Sequence, residues 1–333
     1  MKYLSLFTLL IFIACNNNNS TPEMKEKSPV ERYDPALDAI ISEDAKAEII
    51  ATGHEWSEGP VWVAGQNMLL FSDVPKNTVY KWTAEKGAEV YLTPSGYMGT
   101  DAYSNEPGSN GLLLDDEENL VLCQHGERRM ALMDAPISAP KPNFISIANN
   151  YNGKKFNSPN DACFDKNGNL YFTDPPYGLP KQMEDSTKET PYQGVYKVAP
   201  DGRVTLLIDS ITRPNGIALS PDNKYLYVAN SDGDKPHWYR YELGVDSIVS
   251  GGIFYDASKE AATQKGSPDG MKVDKNGNLF CTGPGGISII NPEGKLIGKI
   301  HLQEAASNCA LADDDKTLYV TNDMQIVRVK LRK

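Results

Sequence analysis

Nowhere in this 333-residue sequence do lysine and arginine gather into a basic run, and the formal net charge is −11, from 33 basic and 44 acidic side chains. Phosphate backbones are held by dense positive charge, so nucleic acid is excluded as a partner. Cysteine is scarce after Cys15: only Cys123, Cys163, Cys281 and Cys309 remain, none in a C-x-x-C spacing. That excludes a thiolate metal centre of the usual spacing. Each of the four lies within an apolar, strand-like run, where cysteine commonly serves as a small buried hydrophobe, so free thiols are expected. Little of the chain shows the 3.6-residue apolar period of an amphipathic helix. What recurs instead is two-residue alternation punctuated by Gly, Pro, Asn and Asp, the pattern of an all-β chain.

The apolar run at residues 4–13 is about ten residues long, against about 20 for a membrane-spanning helix. With Met1-Lys2 before it and Ala14-Cys15 after it, residues 1–15 read as a lipoprotein-type signal peptide whose Cys15 becomes the lipidated end. An ordinary cleaved signal is the competing reading. Residues 16–43, beginning NNNNSTPEMKEK, read as a polar tether, and residues 44–333 as the folded domain. The expectation is an exported, monomeric protein of a bacterial cell envelope, lipid-anchored at Cys15.

Six copies of one unit follow. A polar residue leads an apolar run, an Asp/Asn/Gly turn comes next, and a second apolar strand returns. Examples are Ser109-Asn-Gly-Leu-Leu-Leu114 with Asn119-Leu-Val-Leu-Cys123, and Pro268-Asp-Gly-Met-Lys-Val273 with Gly277-Asn-Leu-Phe-Cys281. The leads fall at 58, 110, 160, 215, 269 and 308, spaced as blades of four strands plus a loop would be. Only about 25 residues follow the last lead, enough for three strands, and residues 47–52 can supply the fourth. The predicted fold is a six-bladed β-propeller, its ring closed by an N-terminal strand completing the last blade and leaving no free sheet edge there. Cys163 and Cys309 then belong to opposite blades, as do Cys123 and Cys281, which again argues for free thiols.

The first strand of every blade lines the central channel, so the six leads meet at one mouth. They are Glu58, Asn110, Asn160, Asn215, Asp269 and Asn308. Six oxygen donors with two carboxylates among them suit a hard divalent cation, calcium first, with zinc, manganese, magnesium and iron as other candidates. Asn-Gly and Asp-Gly are also ordinary turn dipeptides, and one turn reused six times is the competing explanation. It does not cover Glu58, a poor turn residue.

Several motifs together resemble the gluconolactonase branch of the senescence marker protein (regucalcin)/gluconolactonase/luciferin-regenerating family. They are Ser57-Glu-Gly-Pro-Val-Trp62, Cys123-Gln-His-Gly-Glu-Arg-Arg129, Phe156-Asn-Ser-Pro-Asn-Asp161, Tyr171-Phe-Thr-Asp-Pro-Pro-Tyr-Gly178, Arg213-Pro-Asn-Gly216 and Ser267-Pro-Asp-Gly-Met271. The resemblance runs over residues 45–331. It implies a divalent metal held by Glu58, Asn215 and Asp269 with Asn160 at or beside it. It further implies hydrolysis of a sugar lactone to the aldonic acid, with Asp269 as proton acceptor or donor. Animal regucalcin-like members carry Arg two residues before the counterpart of Asn160. Here that position is Ser158, so substrate recognition does not carry over from that branch.

Further candidates for substrate contact are Asn110, His125, Arg128, Asp161, Asp174, Tyr177 and Asn308. Each has a plainer reading, as a surface histidine, a solvated arginine or a turn residue. Two long loops, residues 91–109 and 179–193, are candidate lids. The competing functions are hydrolysis of organophosphates or other esters on the same metal, and a non-catalytic ligand-binding propeller at the cell surface.

Overall fold

The computed structural model describes residues 28–332. The signal segment and Cys15 lie outside the described residues. Short alternating strands assemble into six antiparallel sheets arranged as the blades of a propeller. Blade one runs Ser57–Val63, Met68–Asp73, Thr78–Thr83 and Gly87–Leu92 from the channel outwards. Blades two to five repeat this order, with inner strands Ser109–Leu114, Ala162–Phe164, Pro214–Leu219 and Met271–Val273. The sixth sheet takes Ala306–Ala312, Thr317–Asn322 and Gln325–Lys330 from the end of the chain, and its outer strand is Ala47–Thr52, antiparallel to Gln325–Lys330.

The second strands carry the deepest residues; all of Met68–Asp73 and of Leu170–Asp174 is buried. Among the described residues, six apolar clusters occupy the six seams between neighbouring blades. Leu69, Phe71 and Trp82 of blade one, for instance, meet Ala310, Tyr319 and Ile326 of blade six. The four predicted thiols are free, and Cys123, Cys281 and Cys309 are wholly buried. Trp82 is core, while Trp62 is half-buried and stacks on Tyr319.

One expectation is corrected. Residues 28–43, assigned to the tether, are part of the folded unit. Val30–Arg32 adds a fifth strand to blade five, pairing with Leu296–His301, and the 3-10 helix Pro35–Ala39 follows. Leu37, Ile40 and Ile41 are buried against Ile297, Ile300 and Val329. Three apolar side chains, spread among charged neighbours, escaped a reading keyed to overall polarity.

The turns after the inner strands of blades two, three and five share one mechanism. Asp165 Oδ1 accepts from the backbone N–H groups of Asn167 and Asn169, and Asp274 Oδ1 accepts likewise from Asn276 and Asn278. Asp115 does the same for Glu117 and Asn119. The chain must then pass through a left-handed residue. Gly168 (φ +76°) and Gly277 (φ +85°) meet this at little cost. Asp274 has an extra role, because its Oδ2 accepts from Arg332 near the C-terminus at 2.9 Å. Asp274→Ala is therefore expected to cost about 3 kcal/mol, since it removes the carboxylate partner of a partly buried guanidinium as well as the acceptor of two turn N–H groups, against about 1 kcal/mol for Asp115→Ala. Urea denaturation of both variants checks this; equal losses would contradict the assigned role of Arg332.

Candidate active site

The mouth is built by backbone contacts that pass from blade to blade. Gly111 N donates to Asn160 O at 2.7 Å, and Gly270 N donates to Ser307 O at 2.7 Å. Hydroxyls of the second strands reach across as well: Ser72 Oγ to Asn110 O at 2.9 Å, Thr173 Oγ1 to Asn215 O at 2.6 Å. Ser307 Oγ carries the pattern round to Ser57 O at 2.6 Å. The glycine that follows the lead in four blades is there for this approach. A Cβ on Gly216 would lie 2.2 Å from Asp269 O, and one on Gly59 would lie 2.0 Å from Asn110 O. The Asn-Gly and Asp-Gly pairs are thus not reused turns: Asn110-Gly111 and Asn215-Gly216 lie inside strands. Ladder register slips beside Glu58, after Ser109, after Pro214 and before Asn308, and such bulges re-aim side chains into a channel.

Five of the six leads, Glu58, Asn110, Asn160, Asn215 and Asp269, line one cavity of about 280 Å³. Trp56, Glu106, Tyr177, Ser231 and Ser267 complete its polar and aromatic wall. Asn110 Oδ1, Asn160 Oδ1 and Asp269 Oδ1 are buried without a hydrogen-bond donor. Acceptors in that condition are costly unless something positive meets them. Asn215 donates Nδ2 to Ser231 Oγ at 3.4 Å, which leaves its amide oxygen as the free end, and the Ser231 hydroxyl also pairs with the Tyr177 hydroxyl.

Burial raises the proton affinity of both acids. Asp269 is pushed well above the usual carboxylate range by desolvation first, then by Glu58, Asp161 and Glu106. Glu58 rises for the same reasons, against the N–H of Gly59, which donates to its Oε2 at 2.9 Å. Among the described residues no group of three or more His, Cys, Asp or Glu side chains is placed to hold a metal. The donor set here is mixed, two carboxylates with neutral carboxamides, and its unpartnered oxygens fit a hard cation rather than a soft one.

The remaining candidates, Tyr177 apart, lie behind the wall. Asn308, 1% exposed, donates Nδ2 to Asp161 Oδ2 at 3.4 Å and accepts from Cys309 N and Lys272 Nζ. Asp161 Oδ1 accepts from Ala162 N. Lys272, which the sequence reading passed over, is the cation of this cluster: burial opposes its charge, but Asp161 and Glu58 outweigh it and its pKa is raised. A lysine inside an inner-strand run was the available signal. Arg128 is a strut, its Nε donating to Phe156 O at 2.6 Å and its Nη1 to Thr187 O at 3.0 Å. Asp174 is fully buried, accepting from the N–H groups of Asn157 and Ser158, and burial pushes its carboxyl up to about 7. Neither Arg128 nor Asp174 faces the cavity as expected; both shape the loops that do. Tyr177 does face it, and its ring lies under the Arg213 guanidinium at 5.9 Å. His125 is wholly buried beside Gly178. Glu106, which lines the cavity, was missed because it sits in an irregular loop where no periodic signal exists.

Fold and mouth together define a six-bladed propeller whose inner strands present two acids and several carboxamides to one cavity. The chain belongs to the SMP-30/gluconolactonase/LRE-like family, whose pattern matches residues 56–323. It is 40% identical over 326 residues to a gluconolactonase of Zymomonas mobilis, covering 96% of this chain and 89% of that one. The solved structure of a gluconolactonase from Xanthomonas campestris superposes with a TM-score of 0.78 at 27% identity, covering 91% of this chain and 95% of the other. Regucalcin of Bos taurus is 26% identical over 269 residues, or 79% of this chain and 82% of its own.

The raised acids set a pH dependence. Between the ordinary carboxylate range and their raised values, Glu58 and Asp269 hold more protons folded than unfolded, so stability falls as pH rises through that window. In EDTA, the urea midpoint is expected to drop from pH 5 to pH 8, and Glu58→Gln to flatten the drop. A midpoint that climbs with pH and ignores this substitution would refute the assignment.

Proposed function

We propose that this protein is a lactonase, opening a sugar lactone such as an aldonolactone to the free acid at the channel mouth. The observation that carries the reading is the 40% identity, over nearly the whole chain, to a gluconolactonase. The cavity supports it, being lined by three acids and oriented amides where a small polar ester could sit.

Glu58, Asn160, Asn215 and Asp269 would hold a divalent ion, for which calcium is the choice most consistent with an all-oxygen donor set. Such an ion, when bound, supplies Lewis acidity toward a carbonyl oxygen and toward a water molecule. Asp269, partly exposed to the cavity, takes the proton of the attacking water or orients that water. Glu58, whose Oε2 accepts from Gly59 N at 2.9 Å, would be kept ionised by such an ion. The amide of Asn215, tied to Ser231, cannot turn its nitrogen inward without losing that bond. Tyr177 and Trp56 line the same cavity and would offer aromatic surface to a sugar ring.

Hydrolysis of a six-carbon lactone, followed by acid release, is expected for the untreated protein and is expected to vanish in EDTA and return with calcium. Asp269→Ala is expected to lower kcat by at least about 100-fold. Activity that ignores EDTA would remove the metal from the mechanism, and a lack of activity on every aldonolactone would overturn the reading. We also propose export with a lipid on Cys15, supported by the residues around it. Labelling with a radioactive fatty acid should then mark the wild-type protein and not Cys15→Ala.

A further inference from the structure

Five of the cavity's polar side chains come from the inner-strand ring, but one acid does not. Glu106 enters from the loop between the outer strand of blade one and the inner strand of blade two. That loop was a candidate lid, yet its two ends are stitched down. Asn77 Oδ1 accepts from the N–H groups of Ser95, Gly96 and Tyr97 at 3.1, 2.7 and 3.1 Å. Beyond the tip, Gly108 O and Pro107 O accept from His125 N and Gly126 N at 3.1 and 3.2 Å. Glu106 is thus held on a fixed base, with its carboxyl on the cavity.

Behind it stands His125. Glu106 Oε2 lies 3.6 Å from His125 Nδ1, and the ring is wholly buried against the Glu106 backbone. Burial lowers the imidazole to a pKa of about 4 and raises the Glu106 carboxyl to about 7, so the two do not form an ion pair near neutral pH. The arrangement is a carboxyl on the cavity backed by a buried imidazole, and burial favours the neutral form of each. The other ionisable groups on the cavity are committed: Glu58 and Asp269 belong to the donor ring, and the Tyr177 hydroxyl is paired with Ser231.

Resting on the lactonase reading, the reaction requires a second proton transfer. Water oxygen bonds to the carbonyl carbon and yields a proton to Asp269. The bond from that carbon to the ring oxygen then breaks, its electron pair leaving on the ring oxygen, and an alkoxide is a poor leaving group without a proton. We propose that Glu106 is a catalytic residue, the general acid that gives its proton to the departing ring oxygen, with His125 as the positioning residue behind it. The hydroxy acid then leaves. Glu106 regains a proton from solvent while Asp269 loses one to it, so the net change is the addition of one water.

Leaving-group dependence tests this. An aliphatic lactone releases an alkoxide and an aryl lactone releases a phenolate, which needs no proton to depart. For Glu106→Gln, kcat on the aliphatic lactone is expected to fall about 100-fold with KM within about threefold, and kcat on the aryl lactone to change by less than about threefold. His125→Asn is expected to show the same split at smaller size, which a loss of folding alone would not produce. Equal losses on both lactones, or a rise in KM with kcat unchanged, would overturn the proposal. Wild-type protein inactive on both would instead sink the lactonase reading beneath it.

Discussion

Everything at the mouth depends on how closely neighbouring inner strands approach. Where a Cβ on Gly216 would sit 2.2 Å from Asp269 O, and one on Gly270 would sit 2.0 Å from the Asn308 carboxamide, no side chain larger than hydrogen fits. This packing draws the leads of separate blades into one cavity and fixes their backbones by interblade hydrogen bonds. Side chains then have little freedom except to point into the channel. The seams of apolar residues outside hold the blades at that distance, and the Ser and Thr hydroxyls at the top of the second strands lock it.

Close approach also creates the electrostatic problem that gives the site its character. Glu58 and Asp269 are brought together in a desolvated place with Asp161 and Glu106 nearby. Lys272 offsets part of this from below through Asp161 and Asn308. What remains is a cavity that favours either protons or a cation, while the carboxamides contribute oxygens without adding charge. Such a surplus is tolerable only because the sheets around it are packed and hydrogen-bonded independently of it.

The ring and five of its cavity-lining residues were legible in the sequence because they recur in register, once per blade, at the same place relative to the Asp/Asn turn. The reason for the glycines was not legible. Asn-Gly reads locally as a turn, and only the neighbouring blade shows that the missing side chain makes room for a carbonyl. Arg128 and Asp174 sit in motif-like stretches of sequence, but in space they tie loops, a role that depends on partners such as Phe156 O and Ser158 N, far from them in sequence. Glu106 and Lys272 were missed for opposite reasons. One lies in a loop with no period at all, and the other is hidden inside a period that seemed purely structural.

The fifth strand of blade five bears on where this domain can be cut. Val30–Arg32 covers the edge of Leu296–His301, and Leu37, Ile40 and Ile41 close the bottom of the seam between blades five and six. Arg332 reaches the same region, donating to Ala39 O as well as to Asp274. An expression boundary at residue 44, chosen from the polar look of the preceding segment, would bare a hydrogen-bonding edge and a greasy furrow at once, an invitation to self-association. Starting at Ser28 keeps both covered and leaves the two ends of the domain fastened to each other.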